Sequence, residues 1–419
     1  MKFSMIFEAQ MTDPTAEHEA QVLRDCVEQA VLADEMGFDT VWAVEHHGLK
    51  WYAHMSAPEI FLTWVAAKTQ RIRIGHGVVC MPFNFNHPVR AAERAAMLDV
   101  LSGGRLNLGA GRGATPVETS MCGVDPKRTY AEVEESLRMI GRAWQDPEGE
   151  FEYHGELLDI APHSLLPRPV QRPHPPLFMA CTKKDTLKLA ADYGIGALVL
   201  GFAGVEEIAE LRRTYDEAIA ARTGERLVST VTNDHFAALC PTIVLDDRER
   251  AQQIGARGQR FFAQSIKHYY GAGPVPDEAV DPTVDEVARI KEAADEHVAY
   301  LHEAKIPVKA GSTSVFNADH AYGSPRGRHR LRRATARRGR RRDPVPDPDG
   351  HRAAGGLPRD DPALGREGHS ALPESVIGQP RAGLAHRDCR EPRTPDAAQD
   401  LGIFSGGEVE WSISQAKSR

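Results

Sequence analysis

Several features are missing from this chain of 419 residues, and each absence excludes a class of protein. No run of about twenty apolar residues occurs, so no membrane-spanning helix is predicted. The opening MKFSMIFEAQMTD has one lysine, a short apolar run and then an acid, too little for a secretory signal. The six cysteines (Cys26, Cys80, Cys122, Cys181, Cys240 and Cys389) include no CxxC pair, so neither a disulfide framework nor a zinc site is indicated. No GxGxxG lies between the first strand-like and first helix-like segments, which argues against an open dinucleotide-binding sheet. A formal charge of -8 argues against a general nucleic-acid binder. With 41% hydrophobic residues the chain can bury a large core. A cytoplasmic enzyme with no membrane or nucleic-acid partner is expected.

Strand-like segments are Lys2–Ala9, Thr40–Glu45, Ile72–Met81, Arg105–Ala110, Pro176–Cys181, Ala197–Gly201 and Phe236–Leu245. Helical patterns intervene at Glu17–Met36, Ala57–Lys68, Pro88–Leu101, Tyr130–Trp144, Lys184–Tyr193, Val205–Ala221 and Arg248–Gln264, several closed by Gly or Asn. This alternation predicts a parallel sheet, and a TIM-type (β/α)8 barrel of which seven units are visible within residues 1–323.

After Pro325 the character changes. Arg326 to Arg342 read RGRHRLRRATARRGRRR, and a Pro/Gly/Asp/Arg mixture follows. Such a segment buries too little apolar surface to offset its chain entropy, so residues 324–419 are expected to be a disordered tail. Its basic run also fits a nucleic-acid-binding arm. The genetic code offers a third origin. Written with CGN for Arg, CCN for Pro and GAY for Asp, the tail read one base later can encode an amphipathic helix, a strand ADEILFLIQ, a second helix and a stop within Val376–Ile377. That is a missing eighth unit, and it points to a frameshift near Ser324–Pro325. On this reading the displayed tail supplies no strand. A well-packed tail strand between the first and seventh strands refutes it.

Within the barrel part, GFDTVWAVEHH (Gly37–His47) ends a strand in one acid and two imidazoles. Unpaired polar groups are costly in a core, whereas at the carboxyl end of a barrel strand they face the active site. Glu45, His46 and His47 are therefore candidate catalytic residues, with histidine suited to proton transfer near neutral pH. Paired, satisfied histidines are the competing reading. LGAGRG (Leu108–Gly113) follows a strand; its glycines permit close ligand approach, and Arg112 offers a fork of donors for phosphate. A simple turn explains the glycines equally well. MACTKKDTLKLAADYG runs from a strand into a helix and presents backbone N–H groups to an anion. Gly77 within its strand marks a bulge or a close approach.

MKFS, GFDTVWAVEHH, IGHGVVCMPFNFNHPVRAAERAAMLDVLSGGRLNLGAGRG and Arg128 followed by an acid-rich helix together resemble the bacterial luciferase-like flavin monooxygenases over about residues 1–323. The resemblance implies a barrel that binds reduced FMN, supplied by a separate flavin reductase, and that inserts oxygen from O2 into a small apolar organic substrate. It also implies a homodimer. Some relatives use a deazaflavin for hydride transfer, and an inactive frameshifted barrel is a further alternative. By the same resemblance Arg112 and Arg128 are phosphate arginines and Thr186 is a phosphate threonine. Lys183 stands where a serine is common. Gly77–Val78 lies beneath the isoalloxazine ring. Gly111 replaces the reactive cysteine of luciferases proper, so light emission is not implied. His46 is the expected proton acceptor or donor during oxygen activation, with His47 the alternative. Trp51, Tyr52 and His54 are candidates for the near wall of the substrate site. The stretch Lys267–Asp281, with the connection to about Ala321, takes the place of a mobile lid.

Overall fold

A computed structural model describes residues 2–145, 150–200, 204–271, 273–276, 321–323 and 403–407. The chain divides into two units, residues 1–335 with 399–419 and residues 336–398. Every described residue belongs to the first; the second lies wholly outside the described residues.

The first unit opens with β1 (Phe3–Phe7), α1 (Ala16–Glu35), β2 (Thr40–Ala43), α2 (Pro58–Lys68), β3 (Arg73–Cys80), α3 (Pro88–Leu101) and β4 (Leu106–Gly111). It continues through α4 (Pro116–Met121), α5 (Thr129–Gln145), the hairpin β5 (Phe151–His154) and β6 (Asp159–His163), β7 (Leu177–Cys181), α6 (Lys184–Tyr193) and β8 (Gly196–Val199). Then come α7 (Gly204–Ala221), β9 (Phe236–Leu239), β10 (Thr242–Val244), α8 (Arg248–Gly271), β11 (Ala321–Gly323) and β12 (Ile403–Gly407). β1, β2, β3, β4, β7, β8 and β9 pair in parallel, in the order expected of a barrel.

Local chemistry sets the boundaries. The Thr15 hydroxyl accepts a hydrogen bond from the His18 amide and caps α1, with Glu17 and Glu19 in the first turn favouring the positive helix end. Gly194 ends α6 at φ 70°, a conformation open to glycine and strained for other residues. Outward strand residues pack against the helices, as Phe7 does edge-on to Phe61 of α2. Inward, Trp42 meets Phe178 edge-on with centroids 5.2 Å apart, and Phe178 meets His235 in the same way. These rings plug the barrel, so a ligand site is left to its carboxyl end.

The eighth position departs from expectation. β12, from the tail, lies between β1 and β9 and is antiparallel to both, with Phe3 opposite Gly406 and Ser405 opposite Leu239. The expectation that the tail supplies no strand is therefore wrong at Ile403–Gly407, and this strand counts against the shifted frame. The physical reason is that two open sheet edges present unpaired N–H and C=O groups to any short segment able to pair. The rest of the tail lies outside the described residues. So does the connection from residue 277 to 320, most of the expected lid; Lys267–Gly271 of that stretch instead extend α8. The last strand-like segment, Phe236–Leu245, divides into β9 and β10, and β10 pairs with β11 away from the barrel.

Candidate functional site

β2 delivers Glu45, His46 and His47 to the carboxyl end of the barrel, and the three separate in role. Glu45 is buried and fully engaged. Its Oε1 accepts from Asn86 Nδ2 at 2.8 Å and meets His47 Nε2 at 3.0 Å, while Oε2 accepts from the Cys80 amide at 2.8 Å. It therefore ties β2 to the end of β3. His47 lies flat against Phe85, and its hydrogen bond to Glu45 raises its pKa against the opposing effect of burial.

His46 instead meets a residue that the sequence reading missed. Its Nδ1 lies 2.9 Å from Glu118 Oε1. Glu118 is fully buried; the same oxygen accepts from the His47 amide, and Oε2 accepts from the Thr115 amide and hydroxyl, each at 2.8 Å. Burial works to raise the Glu118 pKa, but the hydrogen bonds from His46 and Thr115 prevail and hold it below the usual carboxylate range. A carboxylate only accepts, so Nδ1 carries the proton and Nε2 is the nitrogen left for a ligand. The signal for Glu118 was present as Thr-Pro-Val-Glu, a capping box at the start of α4. Its reach to a histidine 72 residues away was not legible.

Of the other wall candidates, Tyr52 is buried with its ring edge-on to His46 at 5.0 Å between centroids. Trp51 is held through its backbone, its amide donating to Tyr269 Oη and its carbonyl accepting from Ser265 Oγ of α8. His54 faces Glu19 at 3.6 Å, and burial lowers its pKa.

The expected close approach at β3 is present. The Gly77–Val78 peptide is cis, and the β3–β4 register shifts between His76 and Val79. The Val78 side chain occupies the space that a Cβ at Gly111 would need, and the His76 carbonyl does the same at Gly109. Gly111 is thus required by packing. A cysteine there would displace Val78.

The cationic residues lie just after β4, at the start of α5 and at the start of α6. Arg112 follows β4, lies 4.1 Å over the Tyr130 ring and donates to Thr129 Oγ1 at 3.3 Å. Arg128 immediately precedes that threonine and pairs with Glu132 at 3.2 Å while half exposed. Lys183 is exposed at the start of α6, beyond β7, the sheet partner of β4. Among the described residues neither Arg112 nor Lys183 forms an ion pair, so both charges are available to an anion. Two guanidinium groups, an ammonium and a helix N-terminus suit a phosphate monoester. The Thr186 hydroxyl donates to the Lys183 carbonyl at 2.8 Å and accepts from the Lys183 amide at 3.2 Å, which sets it at the first turn of α6.

The profile of the luciferase-like monooxygenase family matches residues 1–303, and the chain belongs to that family. It is 34% identical to limonene 1,2-monooxygenase of Rhodococcus erythropolis over 59% of this chain and 63% of that one. It is 27% identical to the oxygenase component of the flavin-dependent trigonelline monooxygenase of Acinetobacter baylyi, over 65% and 71% of the two chains. An F420-dependent glucose-6-phosphate dehydrogenase of Amycolatopsis mediterranei is 31% identical over 43% and 53%. Among solved structures, a monooxygenase of Streptomyces bottropensis superposes with a TM-score of 0.58 at 26% identity, covering 73% of this chain and 88% of that one. No described helix is long and apolar enough to cross a membrane.

Proposed function

We propose that the barrel is the oxygenase of a two-component system that takes reduced FMN from a separate flavin reductase and uses O2 to oxygenate a small organic substrate in the cytoplasm. The observation carrying this reading is the His46–Glu118 pair on the same barrel end as Arg112, Arg128 and Lys183, so a proton-transfer group and a phosphate cradle flank one site. Reduced FMN, when bound, supplies the electrons that activate O2. The chain's own residues do the rest. Arg112, Arg128 and Lys183 hold the phosphate, and Thr186 shapes the helix start beneath it. Gly77 and Val78, against which Gly109 and Gly111 pack, are the segment assigned to the planar ring.

His46 is the catalytic residue. Glu118 keeps its proton on Nδ1, so Nε2 accepts or returns a proton at the reacting centre. Glu45 and His47 act through position, since both are committed to each other and to the β2–β3 junction. Hydride transfer with a deazaflavin is the competing chemistry, because a relative is named for an F420-dependent dehydrogenase. Quenching of FMN fluorescence on mixing distinguishes the two. His46→Ala is expected to keep FMN but to release hydrogen peroxide in place of oxygenated product; unchanged coupling removes His46 from the reaction.

We assign the contact of the expected homodimer to α2 and α3. Ile60 and Trp64, four residues apart on α2, are 70% and 60% exposed, and Met97 and Leu101 form an equivalent apolar pair on α3. Exposed apolar residues clustered on two neighbouring helices suit an isologous contact with a second copy.

A further inference from the structure

One side chain of the outer helices is bonded into the surroundings of the His46 site. The β2–β3 ladder runs out at Ala43 opposite His76, three residues short of His46, so ladder bonds do not fix that residue against β3. Asn86, buried in the loop before α3, closes the gap. Its Nδ2 donates to Glu45 Oε1 at 2.8 Å and to the Cys80 carbonyl at 2.9 Å, so one amide group grips the ends of both strands. Its Oδ1 accepts from Arg94 Nη2 of α3. The rest of the guanidinium is committed too: Nη1 donates to Glu59 Oε1 of α2 at 2.8 Å, and Nε donates to the Arg90 carbonyl at 3.3 Å. A partly exposed ion pair such as Arg94–Glu59 contributes little by itself. The buried third partner changes that. Without Arg94, Asn86 Oδ1 loses its donor where water cannot replace it. Turning the amide over is no remedy, because its oxygen would then face two further acceptors, Glu45 Oε1 and the Cys80 carbonyl.

We propose that Arg94 is a positioning residue for the reaction: through Asn86 it fixes Glu45, and so the His46 end of β2, against the Gly77–Val78 segment of β3. The inference rests on the oxygenase reading for the task of His46. Reacting groups must be held within a fraction of an ångström, and the shell behind them does the holding. Glu118 sets the His46 ring from α4. Arg94 sets, from α3, the strand end that carries the ring. Arginine suits this place because its planar fork meets the Glu59 carboxylate, the Asn86 amide and the Arg90 carbonyl together. Lysine keeps the charge on a compact ammonium without that fork. Arg94→Lys therefore separates geometry from charge.

The test compares the parent with Arg94→Lys, Arg94→Ala and Asn86→Ala in the full chain; should the alanine variants not fold, Arg94→Lys decides. Hydrogen exchange followed residue by residue by NMR, without flavin, reads the anchor. The Cys80 amide, which donates to Glu45 Oε2, should exchange at least about tenfold faster in each variant. The Ala197 amide of β8, bonded to the His235 carbonyl, should keep its parental rate. The chemistry is read as hydrogen peroxide release from reduced FMN and O2. Arg94→Lys should change that rate at least about fivefold, but less than about twofold in a His46→Ala background, because the effect passes through His46. FMN affinity, from fluorescence quenching, should stay parental throughout. Parental exchange at Cys80, equal acceleration at Ala197, or the same rate change with and without His46 overturns the proposal. Absence of quenching in the parent overturns the oxygenase reading instead, and Cys80 exchange still decides the anchor.

Discussion

Glu118→Gln tests the geometry on which the site depends. The carboxylate receives four hydrogen bonds, two on each oxygen: His46 Nδ1 and the His47 amide on Oε1, the Thr115 amide and hydroxyl on Oε2. Glutamine has nearly the same volume, so no cavity term enters. It offers one accepting oxygen, and its NH2 group must face the donors that met the other. If it faces Thr115, the hydroxyl can rotate to accept and one backbone N–H is orphaned. If it faces His46, the His47 amide loses its partner and Nδ1 must give up its proton to accept. An unsatisfied buried donor costs about 1–3 kcal/mol, and the lost charge removes a little more, so a destabilisation of about 2–4 kcal/mol is expected.

The pH dependence carries a sign. Because the Glu118 pKa is depressed in the folded state, its stabilisation is fully present above the unfolded-state value of about 4.3 and is lost as pH falls through the folded value. Urea unfolding followed by tryptophan fluorescence should show the gap between parent and variant at neutral pH, closing only as acid protonates Glu118. In the second amide orientation Nε2 becomes the protonated nitrogen of His46, so coupling of oxygen use to product should fall as well. A variant within about 0.5 kcal/mol of the parent, with the same acid profile, refutes the reasoning, since surface substitutions alone reach that size.

Arg112→Ala and Arg128→Ala should each weaken FMN binding roughly tenfold or more in a fluorescence titration, the scale of a charge-assisted phosphate contact. Riboflavin, which lacks the phosphate, should bind both variants as it binds the parent; parental FMN affinity in both removes the phosphate assignment. Trp64→Glu places a charge on the exposed face of α2 and should convert a dimer to a monomer in light scattering, whereas an unchanged mass removes that face from the interface. Deleting one base at codon 325 should raise solubility and flavin-dependent activity above those of Met1–Arg419. Equal solubility and activity of the two disposes of the shifted frame.

The seven parallel strands were legible because each is a short, mainly apolar run, and helices of ordinary length lie between them. The hairpin β5–β6 was not, because FEYH and DIAPH are short, carry histidine and proline, and pair only with each other. α4 escaped notice at six residues, although its Thr115 and Glu118 form a signature that can be read by eye. The site was legible in kind more than in assignment. A strand ending in Glu-His-His announces polar chemistry, but alternation does not say which imidazole meets a buried acid delivered by α4.

The eighth position separates what a sheet edge demands from what a barrel demands. Pairing needs only extended backbone, and Ile403–Gly407 supplies it in the antiparallel sense. A β/α barrel asks for more, because each parallel strand arrives from a helix and leaves its carboxyl end at the mouth, where the loops build the site. An antiparallel strand presents its amino end there instead. β12 can therefore satisfy the backbone groups of β1 and β9 without contributing a loop to the site in the usual sense of the fold. The segment ADEILFLIQ, flanked by two helices, would meet both demands at once, which is why the comparison of the two reading frames bears on chemistry as well as on solubility.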